Sequence, residues 1–469
     1  MSHYSSGPGE KDLKRDLEND QPALNNTPSI AGEAQVHDDV FGDITDEGPN
    51  YRAVGWIGTV ALMMKTQVGL GVLSIPAVFD VLGILPGIIC LIVIAGITTW
   101  SDYMIGVFKR NHPQIYGIDD AGFLIFGRVG REIFGIAFCL CSGMLGLSIG
   151  LNAVSLHGTC TAVFVAVAAI CGFLLASVRT LGRISMLAWV GLVCIMTAIF
   201  TVTIAVGVQD RPAAAPQEGH WKSDWKVVGN PSFTKAISSI SSLIFAYAGT
   251  PGFFAIAAEM KRPEHYTRSL LICQAGVTIT YIVIGCVVYL YCGSYVASPA
   301  LGSAGHLIKR VAYGISLPGL LATTVLVIHF AAKYVFVRLL RGTKHLSSNS
   351  AIHWGTWLAC TIITTVIAYL IASGIPVFGG LVSLVGALLG TLMSFQLYGF
   401  MWLYDNWAKG KRDPNMKWYL MVAFSIFVIV SGTFLMIGGT YGSIVGIIDS
   451  YKASGGSAAF SCADNSNST

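Results

Sequence analysis

Two stretches of this sequence combine residues that break helices with residues that can bind. The first, Lys65-Thr66-Gln67-Val68-Gly69-Leu70-Gly71-Val72-Leu73-Ser74-Ile75-Pro76, sets two glycines and a proline in a long apolar run. The second, Phe245-Ala246-Tyr247-Ala248-Gly249-Thr250-Pro251-Gly252-Phe253, repeats the pattern. In a helix interior Gly costs about 1 kcal/mol and Pro about 3, so both runs should open their backbone at these points. N–H groups freed at Gly69, Leu70 and Gly71, just past Val68, would begin a half-helix whose positive dipole end attracts a carboxylate. Carbonyls freed at Phe245, Ala246 and Tyr247, just before Gly249 and Thr250, would accept from an ammonium. The pair suits a zwitterion, and glycine lets a ligand approach the backbone closely. Because the backbone does the recognising, no deep Asp or Glu is required.

Three side chains nearby are candidates for coupling. Lys65 lies one turn before the first break, about a dozen residues or roughly 18 Å along the helix, too deep to snorkel easily. A lysine at that depth costs about 2.5–3.5 kcal/mol on insertion scales, so it needs a partner or a task. It either has a task of its own or is half of a structural pair with Glu259 or a carbonyl of the eighth span. Glu259 ends the sixth span beside Lys261 and Arg262 and reads as a solvated interfacial pair or as a gate latch. His329, with Thr323 and Thr324 on the same run, is either a proton relay or a hydrogen-bonded packing residue. Phe245, Tyr247 and Phe253 are pocket walls or simply core.

These residues need a scaffold, and the composition says which kind. Of 469 residues, 54% are hydrophobic and 12% charged, with a mean hydropathy of +0.64. A soluble surface needs about a quarter to a third of its positions charged, so an ordinary soluble enzyme is excluded. No basic domain supports nucleic-acid binding. A helix crosses the hydrocarbon core with about 20 apolar residues. By that ruler there are eleven spans, near 53–79, 83–108, 131–156, 159–177, 184–207, 236–258, 269–292, 317–339, 351–372, 376–403 and 418–439. The mixed segment 109–130 is expected along the interface. The breaks then fall in spans one and six, corresponding members of two five-helix halves, which is the sequence pointer to a secondary-transporter site.

The first fifty residues hold eleven acids and three bases, with few aromatics, and are expected to be a disordered cytoplasmic tail. Residues 51–440 form the transmembrane domain, and 441–469 a short polar tail. With the N-terminus inside, sixteen Lys and Arg fall on cytoplasmic loops and helix ends against seven outside. This predicts N-in, C-out. Asn467-Ser468-Thr469 is then a glycosylation sequon on the outer side. The eleven cysteines read as small apolar packing residues, not as a disulfide framework or a metal clip.

The first-break motif resembles the first-helix signature of the amino acid/auxin permease family, nearest to its fungal neutral amino acid branch. The run His329–Arg341 (HFAAKYVFVRLLR) and the sixth-span segment are similar too, so the resemblance covers about residues 50–440. It implies an all-α fold of the leucine-transporter type, two inverted five-helix repeats plus an eleventh helix. It also implies amino acid uptake in the plasma or vacuolar membrane, driven by a proton gradient or, in some members, by sodium, with no bound cofactor. In sodium-coupled relatives of this fold, the stretch holding Lys65 faces a sodium site shared with helix eight; by resemblance Lys65 could stand in that place. The expected partners are a small-molecule substrate and the bilayer.

Other classes fare less well. A membrane enzyme would want a nucleophile–base pair or a metal cluster inside the bilayer, and a channel would want charged rings or filter loops; the sequence offers neither. A transporter-like nutrient receptor, or a carrier of an amino-acid-derived metabolite such as an alkaloid, would keep the same motif.

Overall fold

The computed structural model describes residues 36–38, 40–44, 50–69, 71–140, 145–212, 214–374, 378–453 and 462. Leu70, Asn467 and most of the acidic tail lie outside the described residues. At the end of that tail the expectation of disorder gives way to a small hairpin, β1 (Val36–Asp38) and β2 (Gly42–Ile44). Val40 and Phe41 between the strands are buried. Phe41 stacks on Tyr51 at 4.6 Å and meets Tyr116 edge-on at 5.7 Å.

Apart from an isolated bridge between Val54 and Met260, the other regular elements among the described residues are helices, as they must be where no water can satisfy backbone groups. Among the described residues ten helical segments are long and apolar enough to span, and Thr161–Ala176 is a shorter apolar helix of 16 residues that follows the third of them. With it, the expected eleven are accounted for. The outer face of the bundle carries exposed apolar side chains such as Val129, Val193 and Ile279, the surface a bilayer solvates. Buried hydroxyls are quieted by bonding back to their own helix, as Thr98 does to the carbonyl of Ile94 (2.9 Å) and Thr361 to that of Trp357 (2.9 Å).

The first span is two helices, α1 (Trp56–Gln67) and α2 (Ile75–Leu82), joined by irregular backbone and a 3-10 turn at Gly71–Ser74. The second is α3 (Ile84–Asn111). Next comes α4 (Ile118–Leu140), which bends at Gly127 (φ 68°). The piece before that bend lies within the stretch 109–130 that the sequence leaves mixed polar and apolar. Asp119 and Asp120 in its first turn are paired with Arg131 (both 3.5 Å), and Asp120 also with Arg341 (3.0 Å). The third span continues as α5 (Leu145–Ser155), followed by α6 (Thr161–Ala176) and α7 (Leu181–Val208).

The sixth span is again two helices, α8 (Phe233–Ala246) and α9 (Thr250–Ala258). Pro76 and Pro251 both sit in the first turn of the second half-helix, where a missing N–H costs nothing. Then come α10 (Tyr266–Cys292), α11 (His306–Leu340), α12 (Ala351–Gly374), α13 (Phe378–Val385), α14 (Leu397–Arg412) and α15 (Met416–Ala453). Two π-helical turns, Gly386–Gly390 and Leu392–Gln396, link α13 to α14 in one span. The most extensive helix packing is between α11 and α7, which carries the eighth span against the fifth beside the first break.

One expectation about cysteine is overturned. Cys160, at the start of α6, is joined to Cys462 by a disulfide 302 residues along the chain. Lying at an apolar edge hid it, because the partner is in a polar tail and no spacing rule connects them.

Candidate functional site

A cavity of about 110 Å³ opens between the two breaks, well above the ~10–15 Å³ that admits one water. Thr66, Gln67, Gly69 and Gly71 of the first break line it, with Phe245 and Ala248 of the second. Thr323 and Val327 of α11 close one side, and Leu140, Leu145, Ile371, Phe378, Leu381, Val382 and Val385 form an apolar wall. None of these described lining residues carries a charge.

Of the nine residues picked from sequence for binding, Gly69, Gly71 and Phe245 line the cavity. The breaks touch at Gly71, where a Cβ would run into the backbone of Ala246. Gly71 opens the 3-10 turn, where the leading N–H groups have no intrahelical acceptor. The carbonyls expected to receive an ammonium are already engaged. Phe245 accepts from the Ala248 N–H (3.0 Å), Ala246 from the Tyr281 hydroxyl (2.8 Å), and Tyr247 from the Thr250 hydroxyl (3.4 Å). Tyr247 itself is buried behind the break, its hydroxyl donating to Thr278 (3.0 Å). Val68, Ala246, Gly249 and Thr250 support the site from behind, with Gly249 packed on Thr66 and Gln67. The two breaks are also tied to each other, because the Tyr281 hydroxyl lies between the carbonyls of Gln67 and Ala246 (2.8 Å each).

Sequence reasoning passed over Gln67. It is 2% exposed, it borders the cavity, and neither atom of its amide has a hydrogen-bond partner. A buried amide left unsatisfied is costly, and a zwitterion in the cavity would meet both its donor and its acceptor. The available signal was an amide side chain immediately before a break.

Lys65 is fully buried. Its ammonium donates to the Val68 carbonyl (3.0 Å) and to the Thr323 hydroxyl (2.5 Å), so it ties the first break to α11. Gly191 of α7 leaves room for its stem, since a Cβ there would stand 3.2 Å from the lysine Cε. A carbonyl and a hydroxyl from two different spans are the oxygen ligands a small cation would take. The partner is therefore not Glu259.

Glu259 is not a solvated interfacial residue either. It is 1% exposed and forms an ion pair with Lys333 of α11, also 1% exposed. Its other oxygen accepts from the Leu181 N–H (3.1 Å), and its main-chain carbonyl from the Val54 N–H (3.1 Å). Lys333 also donates to the Arg179 carbonyl (3.2 Å), and Tyr51 lies over its ammonium at 4.3 Å. Burial, with Glu259 close by, pushes the Tyr51 phenol above its ordinary value, so it serves as a neutral ring beside the cation. The knot joins the segment before α1, the loop before α7, the end of α9 and α11. His329 is not part of it. Its Nδ1 bonds the Ala176 carbonyl (3.3 Å), its ring packs on Trp357 at 5.3 Å, and its buried Nε2 has no hydrogen-bond partner. Asp102, buried in α3, was also missed.

The sequence profile of transmembrane amino acid transporter proteins matches residues 52–445. Among curated proteins, a transmembrane transporter of Gibberella moniliformis is 33% identical over 462 residues, covering 94% of this chain and 97% of that one. The N amino acid transport system protein of Neurospora crassa is 29% identical over 441 residues, covering 90% and 92%. Among solved structures, MhsT in complex with L-phenylalanine matches with a TM-score of 0.51 over 84% of this chain and 97% of that one, at 12% identity. A Na+-coupled sialic acid symporter matches with a TM-score of 0.50, over 84% and 91%, also at 12% identity. The fold is thus that of the leucine-transporter type.

Proposed function

Since the chain belongs to the transmembrane amino acid transporter family, a carrier family and not an enzyme family, we propose that it is a proton-coupled symporter of neutral amino acids. The observation that carries this reading is the cavity between the breaks. Its recognition groups are backbone and the Gln67 amide, and its far wall is aliphatic and aromatic. Without a charged lining residue, a charged substrate side chain would be stranded, whereas an apolar one is received. The substrate carboxylate lies on the N–H groups at Gly69–Gly71, and its ammonium meets the Gln67 oxygen. Lys65 stands in place of a coupling metal ion. The Neurospora relative, named for amino acid transport, supports the same substrate class. Expressed in a permease-deficient fungal strain, the chain should take up radiolabelled L-leucine or L-phenylalanine. Uptake should be competed by other apolar neutral amino acids and not by aspartate or lysine. Competition by the charged amino acids equal to that by the neutral ones would overturn the neutral assignment. Binding without uptake would favour a receptor.

The same reading puts the protein in the plasma membrane with its C-terminus outside. Disulfides persist in oxidising compartments, and Cys160 and Cys462 are joined, so both belong on the extracytoplasmic side that the loop charges indicate. A C-terminal tag should be reached by antibody on intact cells. Labelling only after permeabilisation would reverse the orientation.

A further inference from the structure

Asp102 is the single acid of α3 and is wholly buried. One of its oxygens, Oδ2, accepts from Nε2 of Gln274 in α10. The other, Oδ1, has no hydrogen-bond partner, although the Thr250 hydroxyl, in the first turn of α9, stands beside the carboxyl. Three further polar atoms, Gln274 Oε1, Ser101 Oγ and the Tyr398 hydroxyl, are buried without partners in the same part of the bundle. The titratable groups that face Asp102 are Tyr266 and Cys273 of α10 and Tyr398 of α14. The Tyr266 hydroxyl is committed to the Asp102 main-chain carbonyl (2.8 Å). Among the described residues no Lys, Arg or His pairs with this carboxyl.

An ionised Asp102 would be a charge with one ligand and no counter-ion in a dry interior. Such a group costs several kcal/mol and takes up a proton instead. The protonated acid is well housed. Its hydroxyl gains a role as donor, and unpaired oxygens such as Gln274 Oε1 are available to accept. Three elements meet at this carboxyl: α3, α10 and the second half of the broken sixth span.

We propose that Asp102 is a proton site of the transport cycle, holding its proton while α9 packs over it and releasing it when that packing opens to water. On opening, the O–H bond of the acid breaks, the proton passes to water and the electron pair stays on the carboxylate. On closing, the acid re-forms before α9 can seat again. This rests on the transport reading, in which Lys65 is the fixed charge and a titrating group is still needed.

The test uses the full chain purified and reconstituted in liposomes, with radiolabelled L-leucine as probe. Asp102→Asn keeps the shape and neutrality of the protonated acid, so exchange of internal for external L-leucine should continue at the wild-type rate. Accumulation driven by an imposed pH gradient should be lost completely. Difference infrared spectra of the wild type should show a carboxylic-acid C=O band that shifts in D2O and is missing in Asp102→Asn. Undiminished accumulation in the variant, or loss of exchange together with accumulation, would overturn the proposal. So would the absence of that band. A wild type with no exchange at all would instead overturn the transport reading, while the band would still report whether Asp102 holds a proton.

Discussion

Replacing Gly71 by alanine is expected to reduce uptake to background while the protein still reaches the membrane. The added Cβ would collide with the backbone of Ala246, so relief requires moving one broken span away from the other. Overpacking of this kind costs about 1–3 kcal/mol, and here it falls on the two segments that form the cavity. Gly69→Ala should be milder. Its Cβ would meet the Thr323 Oγ1 at 3.3 Å and the Lys65 ammonium at 4.0 Å, side-chain atoms that can shift by a few tenths of an ångström. Uptake normalised to surface biotinylation gives the ranking. Equal or reversed severity would mean that the breaks do not meet at Gly71.

The second large effect is expected at Lys65. Changing it to methionine keeps the stem against Gly191 and removes both hydrogen bonds of the ammonium, to Val68 and Thr323. Hydrogen bonds to charged groups are worth about 1.5–3 kcal/mol each, and about 1.4 kcal/mol is a factor of ten. Uptake by Lys65→Met should therefore fall at least tenfold. On the proposed reading, in which the lysine takes the place of a coupling metal ion, exchange of sodium for choline should leave the wild type unaffected. Thr323→Val, which removes one of the two ligands, should lie between. Normal uptake by Lys65→Met with an unchanged pH profile would reduce the lysine to a structural partner. Sodium-dependent uptake by the wild type would contradict the substitution of lysine for metal.

Much of the scaffold was legible because hydrocarbon imposes one ruler. Apolar length located the spans, and Gly with Pro inside two of them located the breaks. The short helix Thr161–Ala176 and the bend at Gly127 show where that ruler blurs, since neither changes hydropathy much. Pairings across the bundle were not legible. Glu259 and Lys333 are 74 residues apart, and Lys261 and Arg262 beside Glu259 offered it a simpler partner. The roles of Lys65 and Glu259 separated only when Thr323 and Lys333 were placed. Asp102 escaped because one acid near a span end resembles an interfacial residue until α9 and α10 are seen to cover it.

On the proposed function, a neutral amino acid binds between the broken halves of spans one and six. The most direct measurement is an experimental structure of the purified protein with its transported amino acid bound. The carboxylate is expected against the backbone N–H groups of Gly69 and Gly71, the ammonium by Gln67, and the side chain toward Leu381 and Val385. A substrate seated elsewhere, or one whose carboxylate is held by Lys65 instead of by the opened backbone, would contradict it.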